Sequence, residues 1–259
     1  MSSTSASVGA ISNSPSRPLI TVGIPAYDRP ELLQAALASV EAQENAPALE
    51  VVVSDDLGLA ATRALVERST LPNIRYVRNL HPKGAVGNWN QTLAEARGQW
   101  ITILHEDDLL YPWFIDTVRP SLRPGLAAVA VRCARGATPP SLLRPKTKAH
   151  VRRYLRPHFL KSAFTPFPGV LFPTELARRA GGFDASFGPL ADYEFWYRLS
   201  GYGDIELLST VAAFYRIAPG QWTGRAWPEM LRRTHLLRLQ IAREQFPRHP
   251  RLARWLARF

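Results

Sequence analysis

Only one cysteine, Cys133, occurs in the 259 residues of this chain. An internal disulfide is therefore excluded, and the sequence suits a reducing compartment, so a cytoplasmic location is expected. His150 and His158 lack the close spacing of a zinc site, and one thiol cannot complete it. No apolar run approaches the ~20 residues that a membrane span needs. The opening MSSTSASVGAISNSPSRP has neither a basic n-region nor a continuous apolar run, so it does not fit a secretory signal. It reads as a disordered serine-rich leader over residues 1–17. Acidic residues are also short, 21 against 32 Lys plus Arg, which leaves a formal net charge of +11. Such a balance favours anionic partners: nucleic acid, an anionic membrane surface or phosphorylated substrates. Nucleic acid is disfavoured, because no zinc-finger spacing, RNA-recognition aromatic signature or helix-turn-helix accompanies the charge.

The length suits one large α/β domain with a sizeable core. LITVGI (19–24) is a β-rich run stopped by Pro25. Asp28 and Pro30 then open a helix whose Leu32, Leu33, Ala36, Leu37 and Val40 recur at helical spacing. LEVVVS (49–54) predicts a second strand, AATRALVERS a helix, NIRYVRN (73–79) a third strand, VGNWNQTLAEAR (86–97) a helix and WITIL (100–104) a fourth strand. Alternation at this rhythm means βαβ units and a parallel sheet with its strand ends on one edge. Further on, LAAVAV (126–131) predicts a buried strand and KAHVRRYLRPHFL a helix. LADYEFWYRLSG (190–201) predicts another helix, DIELLS and VAAFYRI two strands, and WPEMLRRTHLLRLQIAREQF and RLARWLARF two terminal helices. The expected division is one α/β domain over 18–225 and a helical extension over 226–259 packed on it.

Two acidic clusters fall at strand carboxyl ends: Asp55-Asp56, and Glu106-Asp107-Asp108 in ITILHEDDLLYP. In open α/β sheets this edge is where ligands bind. Three adjacent carboxylates repel one another, and burial raises that cost, so something positive should meet them. Mg²⁺ or Mn²⁺ carrying a diphosphate is one candidate, since such ions take one or two carboxylates and fill their shell with phosphate oxygens and water. A solvated loop that complements a helix dipole is the other. Asp55-Asp56 could accept hydrogen bonds from a ribose or base, or cap a helix.

ITVGIPAYDRPELLQAALASVEAQ, LEVVVSDDLG, GNWNQTLAEARGQWITILHEDDLLYP and GGFDASFGPLADYEFWYRL resemble, in order and spacing, the family-two glycosyltransferases of the GT-A fold, over roughly residues 19–218. The resemblance implies a mostly parallel, Rossmann-like sheet flanked by helices. It implies inverting transfer of a sugar from a nucleotide-diphosphate-sugar donor to a glycan or lipid-linked glycan, as in bacterial surface polysaccharide synthesis. By match, Pro25, Ala26, Tyr27, Asp55, Asp56, Asn88 and Glu106 lie on the nucleotide side. Asp107 and Asp108, and less directly His105, fall on the motif that holds Mg²⁺ or Mn²⁺. Asp192 matches the base that deprotonates the acceptor hydroxyl, with a helix N-cap as its alternative role. Gly169, Glu194 and Trp196 are expected on the acceptor side. The sequence departs from the family pattern at His105, Ala191, Ala218 and Gly87. Those departures motivate a second reading, a non-catalytic relative that binds nucleotide or glycan, or assists an active partner.

Arg144, Lys146, Lys148, Arg152, Arg153, Arg156 and Lys161 crowd one mid-chain segment. They could neutralise a diphosphate or an anionic acceptor, or form a solvated helix face. RLARWLARF alternates Leu252, Trp255, Leu256 and Phe259 with arginines. That pattern fits docking onto the domain and, less well, peripheral contact with an anionic membrane surface at the inner face of the membrane.

Overall fold

The computed structural model describes residues 19–45, 49–81, 83–145, 149–161, 166–218, 221, 226–249, 251 and 255. The leader, Lys146, Lys148 and most of RLARWLARF lie outside them.

The first half is built as the sequence predicts. β1 (Ile20–Ala26), α1 (Pro30–Glu41), β2 (Leu49–Asp55), α2 (Ala60–Arg68), β3 (Ile74–Arg78), α3 (Gly84–Glu95) and β4 (Trp100–Ile103) alternate. β1, β2 and β4 are buried along their whole length, as strands covered on both faces must be. α1 starts with Pro30 in its first turn and buries Leu33, Ala36, Leu37 and Val40, the i, i+3, i+4, i+7 stripe. Its N-cap is Arg29 and carries no side-chain cap, so Asp28 does not have the expected capping role. β1 does not stop before Pro25 but runs through it to Ala26. Its pairing with β4 ends at Gly23–Ile103, so the missing proline N–H falls where no ladder bond is needed.

The second half adds β5 (Leu109–Leu110), α4 (Phe114–Val118), β6 (Leu126–Gly136), β7 (Val151–Arg153), β8 (Val170–Pro173), α5 (Thr174–Arg179), α6 (Ala191–Leu199), β9 (Asp204–Arg216) and α7 (Trp227–Gln245). One nine-stranded sheet results, in the order β3-β2-β1-β4-β8-β6-β9-β5, with β7 also paired to β9. β1 is parallel to β2 and β4, and β2 to β3. β8 is antiparallel to both β4 and β6, and β6 is parallel to β9. Two reversals restore the direction, so β9 ends on the same edge as β1, β2 and β4. Its last residue, Arg216, therefore arrives beside the acidic cluster.

Two expectations fail here. DIELLS and VAAFYRI form one strand, β9, continuous across register shifts against β6. KAHVRRYLRPHFL is not a helix: it contains β7, which covers the free edge of β9, and then a 3₁₀ segment at Arg156–Leu160 opened by Pro157. The edge hydrogen bonds of β9 outweigh the local helical pattern.

Apolar layers cover the sheet. One gathers α1, α2 and α4 around Leu33, Leu37, Val66, Phe114 and Ile115. The other gathers α3, α5, α6 and α7 around Trp89, Phe172, Phe183, Phe195 and Trp196, with Leu237 and Ile241 of α7 completing it.

Candidate active site

The acidic triplet follows β4 at the carboxyl edge, and its positive partner is an arginine from the turn before α1. Arg29 donates from Nε to Glu106 Oε1 at 3.1 Å and from its terminal nitrogen to Asp107 Oδ2 at 2.7 Å. Glu106 Oε2 accepts the Tyr27 N–H at 2.9 Å, which fixes the Pro25-Ala26-Tyr27 turn against β4. Burial raises the Glu106 pKa against these partners. Asp108 is fully buried. Its Oδ1 accepts the Arg216 N–H at 2.9 Å, while Oδ2 has no hydrogen-bond partner. Burial, and then the neighbouring Asp107 charge, hold its pKa well above the usual carboxylate range. Arg216 also donates from Nε to the Asp107 carbonyl at 2.8 Å. Gln221 reaches Asp107 Oδ2 at 3.4 Å and the Arg216 carbonyl at 2.7 Å.

His105 stacks on Trp89, with ring centroids 5.3 Å apart, and tilts against Phe167 at 4.5 Å. Burial pushes its pKa down to about 4, so the imidazole is neutral at physiological pH. A neutral imidazole can ligate a metal. His105, Asp107 and Asp108 offer donor atoms that all lie within 4.8 Å of one another. His105 Nε2 and Asp108 Oδ2 are both buried without hydrogen-bond partners. Two orphaned donors in a cluster of this charge fit a divalent cation. Two carboxylates suit Mg²⁺ or Mn²⁺, and the imidazole favours Mn²⁺ of the two.

At the neighbouring strand ends the polar groups hold one another. Asp55 Oδ1 accepts the Leu57 and Gly58 N–H groups at 3.1 and 2.8 Å, and Oδ2 accepts the Tyr76 hydroxyl at 2.9 Å. Burial, and then this bond to Asp55, push the Tyr76 pKa up to about 12. Asp56 Oδ1 accepts from Asn79 Nδ2 and the Lys83 N–H, both at 2.8 Å, and Oδ2 accepts the Gly84 N–H at 3.0 Å. Neither aspartate is the N-cap of α2, which is Leu59. Asn88, buried in α3, donates to the Ala26 and Ser54 carbonyls at 3.0 and 3.1 Å and accepts from Asn79 at 3.1 Å. Its amide is spent on clamping β1 to β2.

α6 separates its two carboxylates sharply. Glu194 is locked to Arg198 by bonds of 2.7 and 2.6 Å, and Arg198 also holds the Ala180 and Gly182 carbonyls. Trp196 is wholly buried among Phe167, Phe172, Phe183 and Phe195. Gly169 has φ +84°, and a Cβ there would sit 2.6 Å from Val131 and 2.9 Å from Ala213. These three residues are packed or paired within the protein in this structure. Asp192 differs. It lies in the first turn of α6, whose N-cap is Leu190, so the simple N-cap alternative is not realised. Its Oδ1 accepts the Tyr193 N–H at 2.7 Å, no cation among the described residues pairs with it, and burial pushes its pKa up to about 6.

Three of the mid-chain arginines have partners within the protein. Arg144 bridges Glu44 and Asp116, Arg153 pairs with Asp204, and Arg156 lies over the Tyr197 ring. Sequence reading missed Arg29, Asn79, Arg216 and Gln221. Arg29 stood inside a quoted motif, and it was the signal to follow once three carboxylates required a cation. Gln221 follows Ala218, the position at which the family pattern was already seen to change.

Comparison with known proteins agrees with this architecture. "Uncharacterized protein MT1568" of Mycobacterium tuberculosis (strain CDC 1551 / Oshkosh) is 30% identical over 205 residues, covering 73% of this chain and 64% of that protein. The GalNAc(5)-diNAcBac-PP-undecaprenol beta-1,3-glucosyltransferase of Campylobacter jejuni is 32% identical over 119 residues, covering 45% and 38%. This chain thus spans less than two thirds of the length of the curated relatives it matches. Among solved structures, a mannosyltransferase of Pyrobaculum calidifontis in complex with GDP-Man and Mn²⁺ superposes with a TM-score of 0.61 at 23% identity, over 93% of this chain and 70% of that one. No helix among the described residues is long and apolar enough to cross a membrane. The description "Glycosyl transferase family 2" matches residues 21–177, and with the GT-A arrangement of the sheet it establishes that the chain belongs to that glycosyltransferase family.

Proposed function

We propose that the chain transfers a sugar from a nucleotide-diphosphate-sugar donor to a hydroxyl of a glycan acceptor, with inversion at the anomeric carbon. The observation that carries this reading is Asp192: of the two carboxylates on α6, Glu194 is held by Arg198, while Asp192 is free of any described cation and is held near pKa 6. A hydroxyl is a weak nucleophile at neutral pH. A base poised near the working pH takes its proton as the new glycosidic bond forms and the bond to the diphosphate breaks.

On the leaving-group side, Asp107 and Asp108, with His105, would hold Mg²⁺ or Mn²⁺. A bound divalent ion neutralises charge building on the departing diphosphate. Arg29 and Arg216, already in place around these carboxylates, add positive charge beside it. Among the described residues Asp55 Oδ2 and Asp56 Oδ2 each accept one hydrogen bond, which supports a further bond from a ribose hydroxyl or base N–H. Glu106 and Asn88 act through the backbone, shaping the turn at Tyr27 and the ends of β1 and β2. The Campylobacter relative's name specifies a lipid-linked acceptor, and the +11 charge of this chain supports a similar acceptor at an anionic membrane surface.

A screen of UDP-, GDP- and dTDP-sugars, with and without Mn²⁺, tests the reading by nucleoside diphosphate release. Release from one donor class, lost in Asp192→Asn but with donor affinity retained, is the expected result. Failure of every donor, with no nucleotide binding, would overturn it.

A further inference from the structure

The arginine that neutralises the acidic cluster occupies the same carboxylate that the metal would need. Asp107 Oδ2 already accepts Arg29 at 2.7 Å and Gln221 at 3.4 Å, and the Arg29 fork also spans Glu106. Asp107 and Glu106 are buried, whereas the Arg29 side chain is 42% exposed. It stands on the turn before α1, so the guanidinium is the partner open to solvent and the carboxylates are the enclosed ones. A divalent cation entering beside Asp107 and Asp108 meets a positive charge on the same group and is repelled. A guanidinium fork also matches a diphosphate, with which it makes paired charge-assisted hydrogen bonds.

We propose that Arg29 is an exchangeable internal counter-ion: it closes the Glu106–Asp107 pair in the empty site and transfers to the donor diphosphate as the divalent metal takes Asp107. The inference rests on the reading of Asp107 as a metal ligand. It makes metal and donor binding interdependent. Metal alone must displace Arg29 with nothing to receive the guanidinium. Metal with donor exchanges one set of ion pairs for another.

Mn²⁺ binding to the whole chain, followed by the electron-spin resonance of the free ion, tests this without any turnover. Wild type, Arg29→Gln, Arg29→Lys and Asp107→Asn are titrated with Mn²⁺ alone, with circular dichroism to confirm the fold. Arg29→Gln should bind Mn²⁺ at least about fivefold more tightly than wild type, the lower end of typical coupling between linked sites. Arg29→Lys keeps the charge and should stay near wild type. In calorimetry at saturating Mn²⁺, UDP or GDP, whichever binds wild type, should bind more weakly to both Arg29 variants, because the fork that transfers to the diphosphate is lost; equal affinity in all three proteins would overturn the transfer. Arg29→Gln binding Mn²⁺ no more tightly than wild type would overturn the exchange, as would Arg29→Lys binding it as tightly as the glutamine variant. Asp107→Asn binding Mn²⁺ as wild type does would overturn the metal assignment itself, and the inference with it.

Discussion

Asp192 and Glu194 lie two residues apart on one helix, and their surroundings give them opposite tasks. Glu194 is consumed by Arg198 and ties α6 to the turn after α5. Asp192 pays for its partly buried position with a pKa pushed up to about 6. Transfer should therefore fall as pH drops through about 6, because the protonated carboxyl cannot accept the hydroxyl proton. The stability effect has the opposite sign. The folded chain binds this proton more tightly than the unfolded one, so the contribution is present below about pH 4 and is lost as pH rises through about 6. Asp192→Asn should flatten that slope, and at neutral pH it should melt no lower than wild type, with a gain of at most about 3 kcal/mol. Turnover should drop about 10²–10⁴-fold in the same variant. Pairing kinetics with denaturant melts from pH 4 to 8 checks both effects, and near-normal turnover would remove Asp192 from the mechanism.

Asn88 shows how a residue matched to the nucleotide side can act as a strut. Asn88→Ala removes the donors to the Ala26 and Ser54 carbonyls and leaves Asn79 short of an acceptor. About 1–3 kcal/mol should be lost in urea unfolding. A direct ligand contact predicts the reverse, with weakened nucleotide binding and an unchanged midpoint.

At the scale of elements, the parallel half of the fold was legible because its signals are local. Buried β-rich runs, a proline in the first turn of α1 and regular apolar spacing in α1 all agree. The second half was less legible because its structure depends on partners far along the chain. β7 is extended because β9 offers an edge, and β9 is continuous because β6 tolerates register shifts beneath it. The clusters at the ends of β2 and β4 could be read from their position, but the Arg29 bonds that answer the acidic triplet span 77 and 78 residues. Gly169 was matched to the acceptor side, and its local geometry offers a packing role as well. It sits just before β8 at φ +84°, where an added Cβ would lie 2.6 Å from Val131 of β6 and 2.9 Å from Ala213 of β9. Gly169→Ala should cost about 1–3 kcal/mol through backbone strain and overpacking. An acceptor-side role predicts a raised acceptor KM with an unchanged melt, so thermal unfolding beside acceptor kinetics separates the two.

At the scale of the whole molecule, one edge of one sheet collects the chemistry. β1 supplies the Pro25-Ala26-Tyr27 turn, β2 the Asp55-Asp56 pair, β4 the acidic triplet, and β9 delivers Arg216 after two antiparallel steps have restored its direction. Scaffold pairs such as Arg75 with Glu50 and Arg123 with Glu206 cancel internally, so the net charge of +11 is the surplus of 32 Lys plus Arg over 21 acidic residues, and that surplus is what an anionic partner meets. The central claim is that this edge holds a donor whose nucleoside diphosphate leaves the anomeric carbon beside Asp107 and Asp108, which would hold a divalent ion, while Asp192 activates the acceptor. The most direct measurement is nucleoside diphosphate release from UDP-, GDP- and dTDP-sugars by wild type, Asp107→Asn and Asp192→Asn across a Mn²⁺ titration. The account predicts metal-stimulated release from one donor class by wild type, a metal response lost in Asp107→Asn, and slow release with intact donor binding in Asp192→Asn. Equal release by all three proteins at every Mn²⁺ concentration would contradict it.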